Sequence, residues 1–84
     1  MKSKSFQLEI ITPLTSQNIP VEWIEVESPT GSFLVGPDHS NLISIIKNKS
    51  TITYKQAGAE PCLLGVAHGI FSIEDNKAIV LLDQ

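Results

Sequence analysis

Gly31-Ser-Phe-Leu-Val-Gly-Pro-Asp-His-Ser-Asn-Leu-Ile-Ser-Ile-Ile46 is the stretch on which the reading of this chain turns. A short apolar run, Phe33-Leu34-Val35, halts at Gly36-Pro37. It crosses the polar residues Asp38-His39-Ser40-Asn41 and resumes as Leu42-Ile43-Ser44-Ile45-Ile46. Glycine reaches positive φ freely, whereas proline fixes φ and lacks an N–H, so the pair ends the run before it. The physical reading is strand, tight polar corner, strand.

Working outward, the same punctuation recurs. Phe6-Gln-Leu-Glu-Ile10 alternates with period two, placing Phe6, Leu8 and Ile10 on one face before Ile11-Thr12-Pro13 ends the run. A polar stretch, Thr15-Ser-Gln-Asn18, leads to Ile19-Pro20 with no strand assigned. Glu22-Trp-Ile-Glu-Val-Glu27 alternates again, with Ile24 and Val26 inward and Trp23, Glu25 and Glu27 outward. Ser28-Pro29-Thr30-Gly31 carries turn chemistry. Beyond residue 46, Lys47-Asn48-Lys49 makes a corner. Further strands are predicted over 51–55, 62–66, 69–73 and 78–82, separated by the loop 56–61 and the turn Glu74-Asp-Asn-Lys77. Short strands with turn signals at this spacing predict an all-β fold, a small antiparallel β-sandwich of short strands. Its core is expected to hold Ile10, Ile24, Val26, Ile45, Ile52, Ile70 and Val80.

At 84 residues the chain makes one domain, 1–84, and a domain of this size buries only roughly 60–65% of its unfolded surface. It contains no apolar run near the ~18 residues of a membrane span. Met1-Lys-Ser-Lys-Ser-Phe6 lacks the apolar segment of a secretory signal. Cys62 is the single cysteine, which excludes an internal disulfide and fits a reducing compartment. Six lysines and no arginine face nine carboxylates, for a formal charge of −3. Arginine is the preferred reader of phosphate and guanine, so nucleic acid and anionic membrane surfaces are poor partners for this composition.

Candidate chemistry is sparse. Asp38-His39 could form half of a catalytic dyad, but no serine or cysteine lies in a nucleophile context such as Gly-x-Ser-x-Gly, which favours a structural or contact role for His39. His68 has no Cys or His companion at ligand spacing, so no metal site is expected. Cys62, among leucines, reads as a small buried hydrophobe. Glu22, Glu25 and Glu27 read as a solvated strand edge. No glycine-rich phosphate loop is present. Trp23 serves either as an interface anchor or as cover for a sandwich edge. The corner 37–42 and the loop 28–32 expose small residues beside apolar ones, as a protein contact surface does. The expected function is that of a non-enzymatic module acting by contact.

The same residues resemble the epsilon subunit of F-type ATP synthases. Phe6-Gln-Leu-Glu-Ile-Ile-Thr-Pro13 is similar to that family's opening strand. Trp23-Ile-Glu-Val-Glu-Ser-Pro-Thr-Gly-Ser-Phe33 is similar to the strand and turn before its Gly-x-Leu signature. Pro37-Asp38-His39 stands where the family has Pro-Gly-His, and Leu42 where it has leucine. Ala67-His68-Gly69-Ile-Phe-Ser-Ile73 corresponds to its Ser-Gly-Gly strand, and Ala78-Ile-Val-Leu-Leu82 to the strand after it. Asp38 and His68 replace glycines, Lys47-Asn48-Lys49 lacks the usual Pro-Gly corner, and Ser32 stands where many relatives have a carboxylate.

The resemblance implies the family's β-sandwich without its C-terminal helical hairpin, and therefore without that hairpin's ATP sensing and ATPase braking. It implies a non-catalytic subunit of the central stalk that docks to the gamma subunit and the membrane ring and couples ion translocation to ATP synthesis. Such a subunit sits peripherally on the cytoplasmic face of an energy-coupling membrane and needs no cofactor. By position, Thr30, Gly31 and Ser32 face the ring, while Pro37, Asp38, His39, Leu42 and Ser44 fall in the region that contacts gamma. The alternatives are a stand-alone sandwich that binds some other protein, and a small-molecule barrel with an internal cavity of ~300 Å³ or more.

Overall fold

In a computed structural model, which describes residues 5–83, the described residues form nine strands. In chain order these are β1 (Phe6–Ile11), β2 (Ser16–Val21), β3 (Trp23–Ser28), β4 (Gly31–Val35), β5 (Leu42–Ile46), β6 (Ser50–Lys55), β7 (Cys62–Val66), β8 (Gly69–Glu74) and β9 (Lys77–Leu82). Five strands make one sheet, in the order β2-β1-β9-β8-β5, and four make the other, in the order β4-β3-β6-β7. The pairing is antiparallel except at the middle of the larger sheet. There β1 and β9 run parallel, from Gln7 opposite Lys77 to Ile11 opposite Leu81. All strands expected from the sequence are present, and the sandwich is as predicted.

Because the chain reverses direction at each connection, the loops gather at two ends. The first end holds Glu22, residues 36–41, residues 56–61 and the turn Asp75-Asn76; the second holds residues 12–15, Pro29-Thr30, residues 47–49 and residues 67–68. Between the sheets lie Leu8, Ile24, Val26, Val35, Ile46, Ile52, Phe71, Ile73 and Val80, all essentially without solvent contact. Full burial of such side chains stabilises by about 1.5–3 kcal/mol each. Phe33 of β4 and Phe71 of β8 meet edge to face across the gap, with ring centroids 6.0 Å apart. Ser50, the buried polar residue, donates its hydroxyl to the Lys47 carbonyl at 2.6 Å. A side chain at Gly69 would press its Cβ to 2.9 Å from the Leu81 carbonyl oxygen, so the β8–β9 pair closes only over a glycine there.

Two expectations need correction. Of the expected core, Ile10, Ile24, Val26, Ile52 and Val80 are buried, but Ile45 and Ile70 are 63% and 46% exposed. Runs such as Leu42-Ile-Ser-Ile-Ile46 are apolar on both faces, so period two does not tell the inner side from the outer. Register decides it: Ile46 is buried and Ile45, its neighbour, must point the other way. The second correction is β2, read from sequence as a polar connection. Only Ile19 and Val21 face the core, while Ser16, Asn18 and Pro20 face out. Proline is tolerated there because β2 is an edge strand.

Candidate docking surfaces

The corner between β4 and β5 is short of regular structure but well tied. Asp38 sits at φ 61, the left-handed region where the resembling family has glycine. Its N–H donates to Asn76 Oδ1 at 2.6 Å, and Asn76 Nδ2 donates back to Asp38 Oδ1 at 2.9 Å. Three residues on, Asn41 Oδ1 accepts the Asp75 N–H at 3.1 Å. The β8–β9 turn that supplies these partners has Asp75 at φ 50 and Asn76 at φ 64, the paired positive values of a type I′ hairpin. His39 is half-buried, with Nδ1 2.7 Å from the Ser40 carbonyl. Leu42 packs against the core, so its truncation tests packing as much as contact. Ser44 faces the same inner side, half-buried opposite Phe71, and donates to the Ile45 carbonyl at 3.1 Å.

Thr30, Gly31 and Ser32 are exposed at the tip of the β3–β4 hairpin. Ser28 Oγ donates to the Gly31 carbonyl at 2.7 Å, and Gly31 adopts φ 144, which a side chain would strain. This tip and the Pro37–Leu42 corner lie at opposite ends of β4, separated by a strand roughly 15 Å long. The structure therefore does not join them into one continuous patch; they are two surfaces.

A third surface escaped the sequence reading. On the outer face of the five-stranded sheet, strand register places Ile11, Leu81, Ile70 and Ile45 side by side in one row. The next row carries Ile79 and Ile43 on either side of Ser72. Ile43 and Ile45 are 80% and 63% exposed, and Ile70 and Leu81 nearly half. Toward the corner end this face turns polar, with Gln7, Lys77 and Glu74 in register. Lys77 Nζ pairs with Glu9 Oε1 at 3.4 Å. An open groove of about 480 Å³ lies where the two zones meet, walled by Asn41, Ile43, Ser72, Glu74, Lys77 and Ile79. The signal was present in the sequence as the unbroken apolar run Ala78–Leu82 in β9 and the apolar residues on both sides of β5, which a half-solvated strand does not need.

Reactive side chains do not converge. His39 lies in the corner and His68 at the second end, where its Nδ1 is 3.1 Å from Asn48 Oδ1. Among the described residues no three His, Cys, Asp or Glu side chains gather as a metal would require. Cys62 is half-buried opposite Tyr54. Burial, and then the neighbouring Cys62, raises the Tyr54 phenol above its ordinary 10.0. Trp23 is half-buried on the outer side of β3, opposite Lys55, whose ammonium pairs with Glu22 at 3.0 Å. No helix among the described residues is long and apolar enough to cross a membrane.

Two packed sheets, one apolar outer face and two well-tied polar ends define a protein-contact module. The chain belongs to the family of the ATP synthase delta/epsilon chain β-sandwich domain, whose model matches residues 5–84. That family is a non-catalytic component of the ATP synthase stalk, and this chain carries its sandwich. Among solved structures, one similar chain belongs to the central stalk and c-ring of the Tetrahymena thermophila mitochondrial ATP synthase. It superposes with a TM-score of 0.80 at 10% identity, over 100% of this chain and 67% of that one. Another comes from the Euglena gracilis mitochondrial ATP synthase, solved as OSCP, F1 and c-ring in rotational state 1. It gives a TM-score of 0.87 at 12% identity, over 95% of this chain and 51% of that one. The chain thus spans two thirds of the first and about half of the second. At such identities the likeness is one of fold. A comparison with curated proteins finds no match.

Proposed function

We propose that this chain is a rotor subunit of an F-type ATP synthase, bound peripherally at the cytoplasmic face of an energy-coupling membrane. It seats against the gamma subunit and the membrane ring and transmits torque without chemistry of its own. The observation that carries the gamma contact is the row Ile11–Leu81–Ile70–Ile45 on the outer face of the five-stranded sheet. Apolar side chains in adjacent register form a contiguous patch, and such patches on a small soluble domain mark interaction sites. The Pro37–Leu42 corner, with His39, borders the same sheet through β5 and adds the polar rim that contacts of this kind carry, whereas Ser44 faces inward and takes no part. The tip Thr30–Gly31–Ser32, at the second end, is the side offered to the ring.

The test is affinity for purified gamma. Ile45→Lys combined with Ile70→Lys is expected to weaken binding by ~30-fold or more while the melting temperature holds, because both side chains already contact solvent. Unchanged affinity in the folded double variant removes gamma from this face. It would then favour a stand-alone interaction module with a different partner.

A further inference from the structure

Resting on the docking role given above to the corner, we propose that Asn76, aided by Asp75, is a positioning residue that holds residues 37–41 in their partner-binding shape. The observation is the reciprocal clamp between two segments 38 positions apart in sequence. Asn76 accepts the Asp38 N–H at 2.6 Å and returns a bond to the Asp38 carboxylate at 2.9 Å. Asp75 adds a bond to Asn41 at 3.1 Å. The corner between these points forms no strand and holds Asp38 at φ 61, a conformation that a non-glycine residue keeps only when its surroundings fix it. The partners come from the tightest kind of hairpin turn, itself anchored by β8 and β9 in the larger sheet. Asn41 and Glu74 also wall the groove between the corner and the apolar face, so the clamp sets the shape of that groove. A loop already fixed in its bound shape loses less freedom on association, which is where a positioning residue acts.

Asp38 and Asn76 both lie at positive φ, so glycine deletes either side chain without straining the backbone. Asn76→Gly removes both bonds of the clamp, whereas Asp38→Gly leaves the one from the residue 38 N–H in place. Amide exchange by NMR on the isolated chain reads the clamp directly. Asn76→Gly is expected to speed exchange at residue 38 by ~10-fold or more and Asp38→Gly by less, with the amides of β3 and β6 unchanged. Affinity for purified gamma should fall in the same order, by ~3–10-fold for Asn76→Gly. Unchanged exchange at residue 38 in Asn76→Gly overturns the clamp. Faster exchange with undiminished gamma affinity overturns its positioning role. Failure of the unaltered chain to bind gamma instead overturns the docking reading, and leaves the clamp to be decided by exchange alone.

Discussion

The outer faces of the two sheets are built from strands of similar length, yet they differ in kind. Across the four-stranded sheet one register row reads Leu34, Glu25, Thr53, Leu63, with the leucines confined to the two edge strands. Apart from the half-buried Trp23, charged and hydroxyl side chains fill the middle: Glu25 and Glu27 from β3, Thr51, Thr53 and Lys55 from β6. Across the five-stranded sheet the corresponding row is Ile11, Leu81, Ile70, Ile45, apolar through the central strands. The inner faces of both sheets make one core, so packing within the domain does not explain the difference. One face is finished by water. The other leaves apolar side chains in contact with solvent.

Three measurements sharpen or break that contrast. The largest effect separates neighbours on opposite sides of β8. Phe71→Ala, which empties the centre of the core, should cost ~3–5 kcal/mol in urea unfolding, while Ile70→Ala should cost less than about 1 kcal/mol. Equal losses would mean that Ile70 is packed within the domain and the apolar face is not free. A smaller effect is expected on the other face. Glu25→Ala should leave stability within ~0.5 kcal/mol and change gamma affinity by less than about twofold. A large loss of affinity there would show that the polar face is also an interface. The smallest concerns Tyr54. Burial holds its phenol above 10.0 in the fold, whereas the unfolded chain ionises near that value. Its contribution is therefore intact below about pH 10 and declines as pH rises through the folded value. Lysines titrate in the same range, so the decline should be read as the difference from Tyr54→Phe between pH 9 and 11; identical curves would show that Tyr54 is not linked to folding.

Sequence periodicity carried the fold. Leu8, Ile24, Val26 and Ile52 alternate with polar residues, and each lies in the core. It failed where alternation stops. Ile45 belongs to a strand apolar on both sides, where only pairing with buried partners shows which side faces in; in β8 the run Phe71-Ser72-Ile73-Glu74 does alternate, and Ile70 is the apolar residue on its polar side. β2 was hidden by Pro20 and its polar outer side, because an edge strand needs just two core contacts, here Ile19 and Val21, to be held. At the corner, Asp38 looked like a departure from a glycine position. Its carboxylate finds Asn76 only after the chain has folded, and no local rule links positions so far apart. The motif residues Thr30–Ser32 and Pro37–Leu42 are close in sequence, yet a single intervening strand sends them to opposite ends.

The parallel pairing of β1 with β9 has a temporal meaning. Gln7 and Ile11 find their neighbours at Lys77 and Leu81, so the middle of the larger sheet cannot close until the ninth strand has left the ribosome. Hairpins such as β3–β4 and β8–β9 can form from adjacent residues, but β1 must wait, with Leu8 and Ile10 unpaired on that side. Closing so long a loop slows folding relative to local pairings. Newly made chains therefore pass through an interval in which one edge of β1 is open to other strands, and the subunit is secured in a single late step rather than as it emerges.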